Sequence, residues 1–233
     1  MERKLDFSVD EYYHIYNRGV EKRDIFLNDG DKDRFIRLLY LANSAKPFVF
    51  REIKDLQFSQ IKRGELRTAI GAYCLMPNHF HLLVRETTEG GISAFMEKLS
   101  TGYSMYFNKK YKRVGPLFQS RFQARHVDDD NYLKYLFAYI HLNPVKLIYP
   151  DWKEKGIADL QKAKEYLSKY PYSSYHDFLG KIRPEQAILN KETFPEYFET
   201  GHDFEECLED WLTYNEEFIQ ETTEKIPKPN LGI

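Results

Sequence analysis

Two histidines separated by a single residue are the strongest candidate for chemistry in this chain of 233 residues. His79 and His81 flank Phe80 in a stretch where apolar and polar side chains alternate, a pattern typical of a strand. Side chains two positions apart on a strand point to the same face, so both imidazoles could bind one metal ion while Phe80 anchors the strand in the core. Such a pair also occurs in purely structural roles, so the pair alone leaves both interpretations open.

A tyrosine and an asparagine on a predicted helix add two further groups. Tyr139 and Asn143 are four residues apart and therefore lie on one helix face. The phenol could attack a phosphodiester, and the amide oxygen could complete a metal site that still has room for substrate and water. Imidazole and amide ligands admit magnesium or manganese, and manganese suits the histidines better. Tyr132 and Tyr135 share the helix, and an aromatic stripe is commonly core, so spacing does not decide which tyrosine reacts.

Periodicity predicts the elements that would position these groups. Strands are predicted at residues 12–18, 48–53, 66–75, 79–85 and 118–127, and helices at 31–42, 92–111 and 132–142. The strands at 66–85 form a predicted hairpin, and Asp31 is a plausible N-cap for the first helix. The order β-α-β-β-β-α-β-α indicates an α+β fold, an antiparallel sheet with packed helices. A last amphipathic helix is predicted at 204–224, and residues 225–233 are expected to fray.

Charge is distributed unevenly along the chain. Residues 177–233 carry 14 acidic and 5 basic side chains, a net charge of −9, whereas residues 1–176 have a net charge of +7. The segment 99–127 contains six Lys or Arg residues, no acid, and several interleaved aromatic side chains. This pattern suits phosphate contacts combined with base stacking. A solvated face with buried aromatic rings explains the same pattern equally well.

Composition narrows the class of protein. A hydrophobic content of 42% predicts a packed core, and no apolar run approaches the roughly 20 residues that span a bilayer. The charged first residues are not followed by an apolar stretch, so a secretory signal is not expected. Cys74 and Cys207 are too far apart to suggest a disulfide scaffold or a cysteine-based zinc site. We therefore expect a cytoplasmic protein without a membrane partner.

Several motifs in collinear order resemble one protein family. The string MPNHFHLLV at 76–84 resembles the MPNHxHLL signature of small bacterial single-tyrosine transposases of the HUH superfamily, the IS200-like group. The string YIHLNPVK at 139–146 resembles the YIxLNPV(K/R) signature of their REP-associated branch, the RAYT proteins. Further similar stretches are HIYNRG at 14–19, YFNKKY at 106–111, GPLFQSRF at 115–122 and YSSY at 172–175. The resemblance covers about residues 12–180.

The resemblance implies a ferredoxin-like or RRM-like HUH endonuclease fold at residues 1–180, followed by an acidic helical extension at 181–233. It implies that His79, His81 and Asn143 bind the metal, magnesium or manganese, and that Tyr139 is the nucleophile. By analogy, the DNA lies along residues 12–23 and 106–125. The candidate DNA-binding residues in these segments are His14, Asn17, Arg18, Arg23, Lys109, Lys110, Lys112, Arg113, Arg121 and Arg125.

The function that the resemblance implies is metal-dependent cleavage and rejoining of single-stranded, hairpin-forming DNA through a covalent phosphotyrosine intermediate, as in DNA transposition. A monomer and a homodimer are both open. Relatives often carry glutamate where this chain has His141, which should point away from Tyr139 and leaves a role in proton transfer or DNA contact open. The alternative is a non-catalytic hairpin DNA- or RNA-binding protein descended from a transposase. A zinc hydrolase would need a carboxylate base near His79 and His81, and the sequence offers no clear one.

Overall fold

Four strands form one antiparallel sheet in the computed structural model, which describes residues 6–213. The spatial order is β2-β3-β1-β4, so β1 lies between β3 and β4. The predicted α+β fold and the predicted hairpin are confirmed. The strands are β1 (Tyr12–Arg18), β2 (Thr68–Met76), β3 (His79–Glu86) and β4 (Gln123–Val127).

Helices precede, separate and follow these strands in the described part of the chain. The α-helices are α1 (Asp29–Ala42), α2 (Phe50–Ile53), α3 (Gly91–Lys110), α4 (Asp130–Leu142), α5 (Trp152–Lys155), α6 (Leu160–Lys169), α7 (Tyr175–Phe178) and α8 (Gly201–Thr213). Short 3-10 helices span Val20–Lys22, Phe58–Gln60, Asn143–Leu147, Pro184–Ile188 and Lys191–Thr193.

The sheet is covered by helices on both faces. α1 and α3 pack against Phe80, Leu82 and their neighbours, and α4 packs on the opposite face against Cys74 and Leu83. A strand that is covered on both faces must be apolar nearly throughout, which explains why every residue of β2 is buried. The alternation in β3 places its two histidines on the face beneath α4, away from the α1–α3 layer.

The first helix begins earlier than predicted. Asn28, and not Asp31, caps α1, because the Asn28 side chain accepts a hydrogen bond from the Asp31 amide at 3.2 Å. The buried Asp31 carboxylate instead accepts hydrogen bonds from the Leu27 amide and from the hydroxyl groups of Tyr106 and Tyr111. This network ties the beginning of α1 to the end of α3.

The predicted strand at 48–53 is wrong, because residues 50–53 form the short helix α2. Phe50 and Ile53 pack beside the α1–α3 layer, and the Arg34 guanidinium lies over the Phe50 ring. At the β2 edge of the sheet, Leu75 donates to the Tyr172 carbonyl at 2.9 Å, and Asn190 donates to the Ile70 carbonyl at 2.9 Å. The β-forming side chains at 48–53 therefore find partners through tertiary packing, not through a strand ladder.

The last strand is shorter than predicted, since β4 begins at Gln123 and not at residue 118. The Asn17 side-chain nitrogen donates to the carbonyls of Ser120 and Arg121, at 3.0 and 2.9 Å. These bonds take the place of backbone hydrogen bonds between strands at this point. The chain leaves the sheet at this point. Only an isolated bridge between Gly19 and Phe118 continues the pairing.

The described part of the C-terminal extension packs on the main body. In α8, Phe204, Leu208 and Leu212 are buried in one cluster with Ala138 and Leu142 of α4. Helix α8 ends at Thr213 in the described chain, so the rest of the predicted helix at 204–224 and the predicted frayed end lie outside the described residues. The division into 1–180 and 181–233 stays a prediction.

Candidate functional site

The hairpin between β2 and β3 fixes the position of the two histidines. Its turn residues, Pro77 and Asn78, are held by the segment after β1, because Gly19 donates its amide to the Asn78 carbonyl at 2.9 Å and Ile25 donates to the Pro77 carbonyl at 2.9 Å. A side chain at Gly19 would place its Cβ only 2.2 Å from the Arg23 carbonyl oxygen, so this close approach requires glycine. The first histidine follows the turn directly.

His79 presents one ring nitrogen without a partner. Its Nδ1 lies 2.6 Å from the Asn78 side-chain oxygen, and the Asn78 nitrogen donates to the Lys22 carbonyl at 3.2 Å. The second contact orients the amide, so Nδ1 must carry the proton that the Asn78 oxygen accepts. The Nε2 lone pair is then free, and this atom is buried without a hydrogen-bond partner among the described residues.

His81 repeats this arrangement with a different partner. Its Nδ1 lies 2.9 Å from Nε2 of His14 on β1, and its own Nε2 is buried without a partner in the described structure. The rings of His79 and His81 are 5.0 Å apart and nearly perpendicular. An imidazole that binds a metal usually uses its other nitrogen in such a bond, which fixes the tautomer and the direction of the ring.

Both histidines are neutral. Burial, with smaller effects from the positive charges of Lys146 and Arg18, lowers the pKa of His79 to about 3. Burial also lowers the pKa of His81 well below its usual range, with a smaller effect from the neighbouring His79. The neutral imidazole is the form that binds metal ions.

Tyr139 is the tyrosine that helix α4 brings to the histidines. Its ring lies 5.5 Å from the His81 ring, edge to face, and 5.8 Å from the His14 ring. Its hydroxyl is buried beside the Asn143 side chain but makes no hydrogen bond of normal geometry with the described residues, and burial raises its pKa far above the ordinary value. The Tyr132 hydroxyl also lacks a partner in the described structure, so nearness to the histidines is what distinguishes Tyr139. Arg125 lies over the Tyr132 ring, and Trp211 packs on Tyr135.

Asn143 follows α4 and presents an amide oxygen. Its nitrogen donates to the Tyr139 carbonyl at 2.8 Å, which turns the oxygen away from the helix. That oxygen is buried without a partner within the described chain. Buried polar atoms are rarely left unpaired, so an unpaired set made of Nε2 of His79 and His81, the Tyr139 hydroxyl and the Asn143 oxygen points to a ligand.

The donor set of this site is two imidazoles and an amide. Among residues 6–213, no three His, Cys, Asp or Glu side chains come together in a way that could hold a metal ion. A metal at His79 and His81 would therefore take its third protein ligand from a neutral side chain, and the Asn143 oxygen is available. Imidazole and amide oxygen donors fit manganese or magnesium.

The two segments predicted to hold DNA lie side by side. Val20 donates to the Leu117 carbonyl and Gln119 donates to the Arg18 carbonyl, both at 2.9 Å, which joins the end of β1 to the stretch before β4. Of the candidate DNA-binding residues in these segments, the exposed cations that make no ion pair or hydrogen bond with described residues are Lys109, Lys112 and Arg121. Arg18 bonds Gln119, Arg23 pairs with Glu21, Arg113 bonds Asn108, and Arg125 lies over the Tyr132 ring.

Two of the candidate DNA-binding residues are buried, and a third pairs with a buried carboxylate. His14 and Asn17 are each only 1% exposed, and His14 orients His81 while Asn17 holds the chain before β4. DNA contact by these two side chains does not fit their burial. Lys110 lies 2.6 Å from the buried Asp31 carboxylate, so its charge is already balanced.

His141 lies on the other side of α4, as its spacing from Tyr139 predicts. It is fully buried, its Nδ1 contacts the Phe137 carbonyl at 2.8 Å, and its Nε2 contacts the Ser174 hydroxyl at 2.6 Å. Burial lowers its pKa to about 3. These contacts leave no path for proton transfer to the site or for DNA contact.

Two lysines near Tyr139 were missed by sequence reasoning. Lys146 and Lys153 line a narrow cleft together with Tyr139 and Asn143. Lys146 belongs to the YIHLNPVK string and could have been selected from it. Lys153 lies 14 residues beyond Tyr139 on the separate helix α5, and no spacing rule connects the two.

No helix within residues 6–213 combines the length and the apolar character needed to cross a lipid bilayer.

Comparisons with known proteins indicate the class of this chain. A search among curated proteins found no match. Among solved structures, one similar chain is a REP-associated tyrosine transposase bound to a REP hairpin, with 14% identity and a TM-score of 0.47 over 79% of this chain and 90% of that chain.

The family described as "Transposase IS200 like" matches residues 9–143. This range runs from the residues before β1 to the end of α4 and is more than half of the 233 residues. It contains the hairpin with His79 and His81, and it ends at Asn143. The chain therefore belongs to the IS200-like transposase family.

Proposed function

We propose that this protein cuts and rejoins single-stranded DNA beside a hairpin, as a member of the REP-associated branch, with Tyr139 as the nucleophile. One observation carries the proposal. The buried atoms that lack partners in the described structure include Nε2 of His79, Nε2 of His81, the Tyr139 hydroxyl and the Asn143 oxygen, the same atoms that such a reaction needs. A binding protein without catalytic activity has no need to maintain this costly set.

The residues that would hold the metal are His79, His81 and Asn143, through Nε2, Nε2 and Oδ1. When bound there, magnesium or manganese would neutralise charge on the phosphate. The protein's contribution is to keep both imidazoles neutral by burial and to orient them through Asn78 and His14. These contacts hold the Nε2 lone pairs available before DNA arrives.

Tyr139 performs the transfer. Burial keeps its phenol protonated at neutral pH, so the proton leaves to water as the oxygen attacks phosphorus. The new bond joins the tyrosine oxygen to the 5′ phosphate of the downstream strand. The bond to the upstream 3′ oxygen breaks, and this oxygen takes a proton from water and becomes a free 3′-hydroxyl. A second 3′-hydroxyl can then attack the phosphotyrosine and release Tyr139. Rejoining needs no nucleotide cofactor, because the phosphotyrosine intermediate retains the free energy of the broken phosphodiester bond.

DNA is held, in this proposal, by the adjoining segments at the end of β1 and before β4. The exposed cations Lys109, Lys112 and Arg121 supply phosphate contacts, and Arg18, Arg23, Arg113 and Arg125 are further candidates in the same segments. The unit 1–180 carries this chemistry and 181–233 is the acidic extension. The protein works in the cytoplasm, as a monomer or a homodimer.

The test is covalent trapping. Hairpins with single-stranded flanks are selected from a randomised pool with the Tyr139→Phe protein, and one of them is then labelled and incubated with wild-type protein and manganese, magnesium or EDTA. We expect a denaturation-resistant adduct with manganese that is lost with EDTA and in Tyr139→Phe but kept in the matched Tyr135→Phe variant. Hairpin binding without an adduct in wild-type protein would overturn the proposal and favour a non-catalytic binding protein.

A further inference from the structure

A narrow cleft beside Tyr139 is lined by two lysines, Lys146 and Lys153, that have no role in the proposed reaction. It runs between the end of α4 and the short helix α5, and its open space accommodates a group of about the size of a water molecule and not a nucleobase. The residues that line it and matter here are Tyr139, Asn143, Lys146, Trp152, Lys153 and Trp211.

The closer cation is Lys153. Its Nζ lies 4.6 Å from the centre of the Tyr139 ring, over the ring face. Lys146 follows Asn143 by three residues on the 3-10 helix and lines the same cleft. Both lysines are half-buried, and neither makes a hydrogen bond or an ion pair with residues 6–213.

The neighbouring lysine of the same helix shows the usual arrangement. Lys155 is exposed and pairs with Asp151 at 2.8 Å. Lys153 has only the through-space effect of Glu154, which is too weak to offset burial and the repulsion from Lys146, so its pKa falls to about 8. Lys153 still carries its proton most of the time at neutral pH. Two half-buried cations without a counter-ion are costly, and an incoming anion offsets that cost.

We propose that Lys153, supported by Lys146, binds a non-bridging oxygen of the phosphodiester that Tyr139 attacks. The proposal rests on the proposed function, since it names the anion as the scissile phosphate. As the tyrosine oxygen bonds to phosphorus and the 3′ oxygen leaves, negative charge on the phosphoryl group grows. The Lys153 ammonium keeps its proton and neutralises this charge from the α5 side. It is therefore a catalytic residue that contacts the substrate, and its cation–π contact with Tyr139 holds it in place.

The first experiment measures adduct formation under single-turnover conditions with the selected hairpin and manganese. Lys153→Gln should slow the reaction by roughly 10²- to 10³-fold, the usual effect of removing one group that stabilises transition-state charge. The matched variant Lys155→Gln removes the same charge from the same helix and should stay within about twofold of wild type. Lys153→Arg keeps a cation and should recover most of the rate. If Lys153→Gln does not fold, Lys153→Met keeps the aliphatic stem and takes its place.

The second arm replaces the charged oxygen of the substrate. A methylphosphonate at the cleaved linkage is neutral, so the difference between wild type and Lys153→Gln should nearly vanish with it. A full difference on this substrate, or an equally slow reaction in Lys153→Gln and Lys155→Gln, would overturn the proposal.

A third arm does not depend on cleavage. Methylphosphonates are scanned along the flank of the hairpin, and binding is measured with Tyr139→Phe protein. One linkage should weaken binding, and this interference should disappear when Lys153→Gln is added. If wild-type protein forms no adduct, the proposed function fails, but this scan still decides whether Lys153 binds a backbone phosphate. The absence of any Lys153-dependent linkage would refute the site.

Discussion

The hydrogen bond between His14 and His81 leads to a quantitative prediction for metal binding. His14 lies on β1 and accepts the Nδ1 proton of His81 across 2.9 Å when Nε2 of His81 serves as the metal ligand. His14→Leu removes this acceptor and keeps a side chain of similar size in a fully buried position. The His81 ring is then without the bond that sets its direction and its tautomer.

Removal of such an outer partner typically weakens metal affinity 10- to 100-fold. This factor corresponds to about 1.4 to 2.8 kcal/mol of binding free energy. We therefore expect the manganese Kd of His14→Leu to rise by about that factor. Hairpin affinity in EDTA should be unchanged, because the His14 side chain is buried and does not reach the protein surface.

The assay is a manganese titration followed by the electron paramagnetic resonance signal of the free ion. His126→Leu is the matched control. His126 lies on β4, the strand next to β1, is partly exposed, and pairs with Glu11 at 2.7 Å. A manganese Kd within twofold of wild type in His14→Leu would refute the argument that His14 orients the ligand. An equally weakened affinity in His126→Leu would refute it as well.

Three further predictions concern DNA binding, the extension and pH. Replacing Lys109, Lys112 and Arg121 by glutamine should weaken binding to all hairpins. A plot of the logarithm of the binding constant against the logarithm of salt concentration should become less steep, by about 0.7 to 0.9 for each phosphate that is no longer neutralised. An unchanged slope would show that these side chains face solvent and do not contact phosphate. Phe204→Ala should lower the free energy of unfolding by about 3 to 5 kcal/mol, because this side chain is fully buried between α8 and α4. The measurement is urea unfolding, and a variant as stable as wild type would show that the extension does not stabilise the fold. His141 has a pKa lowered to about 3 by burial, so on acidification the unfolded chain takes up its proton first, and its contribution to stability, present above pH 6.5, falls by about 1.4 kcal/mol at pH 5.5. The buried His14, His79 and His81 add losses of the same sign, so urea unfolding should show a decrease in the His141→Gln variant that is smaller than in wild type by about 1.4 kcal/mol.

Local patterns predicted the elements that carry the candidate site. The alternation through Phe80 placed His79 and His81 on one face of β3. The helical spacing placed Tyr139 of α4 on the same side as Asn143, the residue directly after that helix. Both predictions rest on the fixed periods of strand and helix, so they need no knowledge of the rest of the chain. The site roles of these residues are still proposals, but their positions agree with the pattern.

Other elements depended on partners distant in sequence. In the predicted strand at 48–53, residues 50–53 form helix α2, and the β2 edge is paired with residues around Tyr172 and Asn190 instead. The strand predicted from residue 118 starts only at Gln123, because one buried amide, Asn17, takes the carbonyls before it. Propensity describes what a segment can form alone, and tertiary contacts decided against it here.

The sequence by itself determined the residue types of the site, their order, and the faces on which His79, His81, Tyr139 and Asn143 lie, since these follow from backbone geometry. Only the tertiary structure decided which polar atoms have partners. It buried His14 against His81 and removed it from the protein surface, and it brought Lys153 of α5 over the Tyr139 ring. Hydrogen bonds and charge pairing across the fold are set by how elements pack, and no local period of the chain encodes them.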